Sequence, residues 1–273
     1  MDQQRDIKDT LLRLTRGEIL DKSLCKEIMT SIGKGEVNEF QIASFLMAFQ
    51  MRQITGPELS GFREAMIDLA KSIDLSDHDT IDIVGTGGDG KNTFNISTLS
   101  SLVVAGAGYK VAKHGNVGKS SVSGSSNVLQ HFGYTFSNDE GKLRKDLESN
   151  NFCYMHAPLF HPAMKYVGAV RRGMAIGTFF NMLGPILNPS RAKKQVSGVW
   201  DPFIIPLYKT VLEDMGSDYV ILHADDGYDE ISLTSTCQIE TKRGREVLSP
   251  SDLGFSQIEA SESYGGESPE SAA

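Results

Sequence analysis

The sequence predicts an α/β protein: a small N-terminal all-helical domain followed by a larger α/β domain with a mainly parallel sheet. Three observations carry this. Residues 1–75 hold only helical patterns. From about residue 80, short apolar runs alternate with helical stretches. The first of those runs ends in a cluster of glycines.

The helical part rests on two stripes. Ile42, Phe45, Leu46 and Phe49 recur at i, i+3, i+4 and i+7, one face of a helix. Leu59, Phe62, Met66, Leu69 and Ile73 repeat the pattern, and Thr55 with Glu58 forms a capping box that opens the second helix. Strands are expected at Ile81–Val84, Tyr109–Lys113, Phe152–Met155, Gln195–Trp200 and Tyr219–His223. Helices are expected at Ser97–Ala107, Gly141–Ser149 and Ile204–Met215. This alternation implies βαβ units. A polar, acidic stretch near 72–80 sets the boundary. The helical domain is therefore assigned to 1–73 and the α/β domain to 74–162 and 188–273. Residues around Ala163–Leu183 look helical, and 163–187 are expected to rejoin the first domain. The last 19 residues, from Phe255, carry five Ser, four Glu and no Lys or Arg, and read as a frayed tail.

Composition narrows the function. The 273 residues include 27 Lys+Arg and 35 Asp+Glu, a net charge of −8, which opposes nucleic-acid binding through a basic face. Any polyanion must be held locally. Three scattered cysteines form neither a disulfide framework nor a zinc pattern. The charged start is unlike a secretory signal, and no apolar run is long enough to span a membrane. A reduced, cytoplasmic protein is expected.

Four segments carry chemistry. In the first, a strand leads into Gly85-Thr-Gly-Gly-Asp-Gly90, with a helix beginning near Asn95. Glycines let backbone approach a ligand, and a helix N-terminus attracts anions. The dinucleotide fingerprint fails because the next strand ends in Lys113-His114 and not in an acid. A P-loop fails because Asn92 follows Lys91 where Ser or Thr should hold Mg²⁺. A phosphate or pyrophosphate cradle of another fold remains. The second segment, Lys113–Ser126, adds lysines, glycines and serines of the kind a diphosphate needs. In the third, Asp225, Asp226, Asp229 and Glu230 offer hard oxygen ligands suited to Mg²⁺. In the fourth, Arg171-Arg172 leads into a Pro/Gly turn, and an arginine fork suits a carboxylate.

Taken in order, Gly-Thr-Gly-Gly-Asp, Asn-Ile-Ser-Thr, Lys-His-Gly-Asn, Phe-Asn-Met-Leu-Gly-Pro-x-x-Asn-Pro and Asp-Gly-Tyr-Asp-Glu resemble the anthranilate phosphoribosyltransferase family of tryptophan biosynthesis. The resemblance implies a substrate cleft between the two domains and a homodimer through the helical one. It implies transfer of the phosphoribosyl group of phosphoribosyl pyrophosphate (PRPP) to the amine of anthranilate, with release of pyrophosphate. It places Gly85, Gly88, Asp89, Thr93, Asn95, Ser97, Thr98, Lys113, Ser121 and Ser125 at PRPP. Ser97, Asp229 and Glu230 would hold Mg²⁺. Gly85, His114, Asn116, Arg171 and Pro185 would meet anthranilate. No strong base is expected; catalysis would be electrostatic, through Lys113 and Mg²⁺. The sequence departs from the family pattern at Val117-Gly118-Lys119, Gly173-Met174-Ala175 and Gly177. Members of the family usually go on into further helices after the point where this sequence stops. A pyrimidine nucleoside phosphorylase-like enzyme and a non-catalytic nucleotide-binding relative are the alternatives.

Overall fold

A computed structural model describes residues 2–118 and 123–268, with side chains from residue 7 onward. Four helices come first: α1 (Asp2–Thr15), α2 (Lys22–Lys34), α3 (Glu39–Met51) and α4 (Gly56–Asp68). The expected stripe of α3 is buried. Thr55 and Glu58 cap α4 reciprocally, as their spacing predicts. The second stripe ends early. The helix stops at Asp68, and Lys71 N then donates to Phe160 O at 2.8 Å. Ile73 is thereby drawn into a different core, with Leu75, Ala112, Leu143 and Leu147.

Among the described residues seven strands follow: β1 (Thr80–Gly85), β2 (Lys110–Gly115), β3 (Phe152–His156), β4 (Lys194–Gly198), β5 (Asp218–Ala224), β6 (Cys237–Thr241) and β7 (Gly244–Leu248). They form one sheet in the order β3-β2-β1-β4-β5-β6-β7. The first five are parallel, and β6 and β7 add an antiparallel hairpin at the edge. The hairpin escapes the apolar-run criterion because β7 is almost wholly exposed. The helices between the strands are α5 (Ile96–Gly106), α6 (Ser125–His131), α7 (Glu140–Asn150), α8 (Met164–Met174), α9 (Phe180–Leu183) and α10 (Ile204–Asp214).

The stretch 163–183 is not one helix. It breaks after Met174, where Ala175 adopts φ +54°, and resumes as the single turn α9. Helix α8 packs on α2 and α3. Helix α10 packs on both α4 and β5, so one core runs from the helical bundle into the sheet. β1 has β2 on one side and β4 on the other. Chain direction across the sheet reverses beside it, which opens a crevice at the strands' C-terminal ends, the usual ligand position in such sheets.

Candidate active site

That crevice encloses about 310 Å³ and is walled by the segments after β1, β2 and β5, with α9 closing one side. β1 runs out into the glycine loop. Gly87, Gly88 and Gly90 have φ of +59°, +80° and +72°, a region that side-chain-bearing residues rarely occupy. The turn bends the chain so that Gly87 N donates to Asp229 Oδ2 at 2.7 Å. Asp89 Oδ1 accepts from Lys91 N at 3.1 Å. Thr93 Oγ1 donates to Glu230 Oε2 at 3.4 Å. Asn95 is the N-cap residue of α5 but makes no side-chain cap bond. Its Nδ2 donates to Ser123 O at 3.1 Å, linking the first loop to the second.

Lys113 is 1% exposed, yet it lines the cleft. Its Nζ donates to the Ile83 carbonyl and lies 3.4 Å from Ser97 Oγ. Burial pulls its pKa down to about 8. Asp82, fully buried beneath it, is pushed up to about 6 by the same cause; the Lys113 charge and bonds from Asn188 and His114 N oppose the rise. His114 Nε2 lies 3.2 Å from His161 Nε2. Burial, and next the neighbouring His161, hold His114 well below the usual histidine range, so its ring is neutral. Gly115 is required by contact: a Cβ there would overlap Ser125 Oγ and stand 2.5 Å from Tyr154 Oη. Its absence lets the start of α6 close over β2.

The acidic segment divides in two. Asp225 accepts from Thr236 Oγ1 and from Gln238 Nε2 at 2.7 Å. Asp226 accepts from Thr234 Oγ1 at 2.5 Å and Ser235 Oγ at 2.8 Å. These two build the turn and do not reach the cleft. Asp229 and Glu230 do reach it. Burial raises Asp229 to about 6, with Asp89 adding repulsion. Burial raises Glu230 to about 8, with Asp229 and Asp89 adding to it. Among the described residues, no three acidic, His or Cys side chains are already drawn into a ligand shell. Two or three carboxylates whose charges oppose one another, beside open phosphate-type loops, nonetheless fit Mg²⁺. That ion takes one or two carboxylates and completes its shell from substrate oxygens and water.

Of the residues singled out from sequence, the fold brings Gly85, Gly88, Asp89, Thr93, Asn95, Ser97, Lys113, His114, Asn116, Ser125, Pro185, Asp229 and Glu230 to the cleft. Thr98 is not among its wall residues. It is buried on the next face of α5, and its Oγ1 donates to Asn95 Oδ1 at 2.5 Å. Arg171 stands one layer back. Its Nη2 donates to Asn181 Oδ1 at 2.8 Å, and its guanidinium lies 5.1 Å from the Phe180 ring centre. Ser121 lies outside the described residues. Phe180 and Asn181 line the wall unanticipated, although the same Phe-Asn motif contains them. Thr86 and Lys91 also line it. Lys91 sits 4.6 Å over the Tyr228 ring, and its place after four glycines was the available signal.

Comparison with known proteins agrees with this layout. Residues 77–273 match the model of a glycosyl transferase family α/β domain, and residues 8–70 that of the same family's helical bundle domain. The anthranilate phosphoribosyltransferase of Christiangramia forsetii is 48% identical over 267 residues, 98% of this chain and 81% of that protein. The crystal structure of the Thermus thermophilus anthranilate phosphoribosyltransferase superposes with a TM-score of 0.91 at 33% identity, covering 97% of this chain and 80% of that one. The Saccharomyces cerevisiae anthranilate phosphoribosyltransferase in complex with PRPP and Mg superposes with a TM-score of 0.90 at 28% identity, covering 97% and 78%.

Proposed function

The chain belongs to the anthranilate phosphoribosyltransferase family, and from that premise we propose that it transfers the phosphoribosyl group of PRPP to the amine of anthranilate. The observation that carries this is the meeting of Asp229 and Glu230 with the Gly87–Thr93 loop, in one cleft with Lys113. It suits a large phosphate polyanion that arrives with a divalent cation.

In this reading the backbone of Gly85–Gly88 and the side chains of Thr93, Asn95, Ser97 and Ser125 hold the phosphates. Ser97, Asp229 and Glu230 hold Mg²⁺. The ion, when bound, offsets the charge that gathers on pyrophosphate as it leaves. The Lys113 ammonium does the same from the chain's own side. The amine lone pair forms the new bond to ribose C1 as the bond from C1 to pyrophosphate breaks, and the proton the nitrogen loses passes to solvent water. An aromatic amine is nucleophilic when neutral, so positioning suffices. The neutral His114 ring, Asn116 and the Gly184-Pro185 turn form the acceptor's wall. Arg171, through Asn181, lies within reach of its carboxylate.

The same reading divides the molecule at 73/74, with 163–187 counted with the helices, and makes it a homodimer through the helical part. Supporting the latter, Phe40, Met47 and Met51 stand on one side of α3 and are 77%, 44% and 80% exposed. Three buried free cysteines suit a reducing, cytoplasmic setting. A coupled assay with PRPP, Mg²⁺ and anthranilate tests the function. Product must form only when all three are present; turnover without anthranilate would overturn the reading.

A further inference from the structure

Of the 19 residues expected to be a frayed tail, 269–273 lie outside the described residues, and the stretch 257–266 is tied down at both ends. Ile258 N donates to Leu233 O at 3.1 Å, and Gln257 Nε2 donates to Thr234 O at 2.6 Å. These bonds fix one end to the chain just beyond Asp229 and Glu230. At the other end Phe94 N donates to Ser263 O at 3.1 Å, Gly265 N donates to Asn92 O at 2.8 Å, and Asn92 Nδ2 donates to Gly266 O at 2.8 Å. Thr93 and Tyr264 pair as an antiparallel β-bridge between these bonds. The approach is so close that a Cβ on Gly265 would overlap the Thr93 carbonyl and stand 2.8 Å from Phe94 N.

We propose that residues 257–266 are a strap that holds the loop 92–94 in its PRPP-accepting form, joining it to the loop that carries Asp229 and Glu230. The inference rests on the PRPP reading of the cleft. No residue of the strap lines the cleft, and neither does Asn92. The strap therefore acts through Thr93 and Asn95 and is a positioning element. Without it, among the described residues, Thr93 is bonded to the acidic loop through the long contact to Glu230 alone. A loop free to move must be ordered by the ligand, which lowers affinity. By linkage, PRPP must in turn order the strap.

The test uses the full chain carrying Gly265→Val and, separately, Asn92→Ala. PRPP binding in the presence of Mg²⁺ is measured by calorimetry, the Michaelis constants of both substrates are determined, and hydrogen exchange of the strap amides is followed. For Gly265→Val we expect the PRPP dissociation constant to rise at least about tenfold, with the anthranilate constant and kcat at saturating PRPP within about twofold. For Asn92→Ala a rise of about threefold to tenfold is expected, from one lost hydrogen bond. In the unaltered protein PRPP must slow exchange at Gly265 and Phe94, and anthranilate alone must not. If Gly265→Val does not fold, Asn92→Ala and the exchange data decide. Unaltered protein that binds PRPP while both variants bind it equally well overturns the strap alone. Unaltered protein that takes up no PRPP overturns the functional reading, and the strap with it.

Discussion

The Asp229 carboxylate rests on the backbone of Gly85: a Cβ on that glycine would stand 2.5 Å from Oδ2 and 3.2 Å from the carboxylate carbon. Gly198, the residue paired with Gly85 across β1 and β4, would with a Cβ overlap the main-chain carbonyl of the same Asp229. Two neighbouring strand ends thus leave a slot, one side chain deep, into which the acidic loop drops.

Filling the slot should displace the carboxylate. Gly85→Ala can be relieved by swinging a side chain, whereas Gly198→Ala must move backbone. We expect Mg²⁺-dependent PRPP affinity to fall about tenfold for Gly85→Ala, about 1.4 kcal/mol, and further for Gly198→Ala. Calorimetry with and without EDTA checks this. Equal affinity in the two conditions for the unaltered protein would remove the metal role of Asp229 and Glu230.

Without metal, the raised carboxylates leave a pH signature. Glu230 in the folded protein titrates at about 8, far above its unfolded value of 4.5, so between those values the folded state binds the extra proton. Stability therefore falls as pH rises through that window. His114 and His161 are held below 6.5 and act in the opposite sense below that pH. Lys113, lowered to about 8, opposes the carboxylates as pH approaches that value, so their effect is least opposed from about 6.5 to 7.5. In EDTA the melting temperature should decline across this range, and Glu230→Gln should flatten the decline. Mg²⁺ should raise the melting temperature more at pH 8 than at pH 6.5.

Gly88 holds φ +80° with open space where a Cβ would point. The obstacle to substitution is backbone conformation, not crowding within the protein. Gly88→Val should cost on the order of 1 kcal/mol or more of strain at that turn. It should also lower PRPP affinity at least about tenfold, because the branched side chain enters the cleft. A dissociation constant unchanged in the folded variant would reduce the loop to a connecting turn.

Arg171 and Arg172 differ in surroundings: the first bonds Asn181 and lies over Phe180, the second is exposed. A charged hydrogen bond is worth about 1.5–3 kcal/mol. Arg171→Ala should therefore lower kcat/KM for anthranilate by roughly 10- to 150-fold, with PRPP affinity within about threefold. Arg172→Ala should be much milder. Loss of PRPP affinity in the first variant would refute the assignment to the acceptor.

The exposed face of α3 makes a separate prediction. Met51→Glu should shift sedimentation toward a monomer while leaving the helical content intact. An unchanged sedimentation coefficient in a dimeric parent would move the interface elsewhere.

The elements legible in the sequence were those with a local cause. Glycines after an apolar run marked the β1 loop, and lysine after a strand marked the end of β2. What was not legible depended on distant partners. Ser97 and Thr98 have similar chemistry, yet about 100° of helix rotation sends one to the cleft and the other to Asn95. Asp225 and Asp226 look as suited to a metal as Asp229 and Glu230. Only the folded turn shows Thr234, Ser235, Thr236 and Gln238 occupying them. The 257–266 segment has a disordered composition, yet it is held by three main-chain bonds, to which composition is blind, and by the Gln257 and Asn92 side chains.

The core that passes from α4 through α10 to β5 bears on how the molecule comes apart. Gly56, at the start of α4, has no room even for a methyl group against Thr210 of α10. Lobes joined this tightly share their melting: neither can expose its own face of the seam without exposing the other's. Heating should give one calorimetric endotherm and no half-molten intermediate, with the helical lobe surviving only as long as the sheet does.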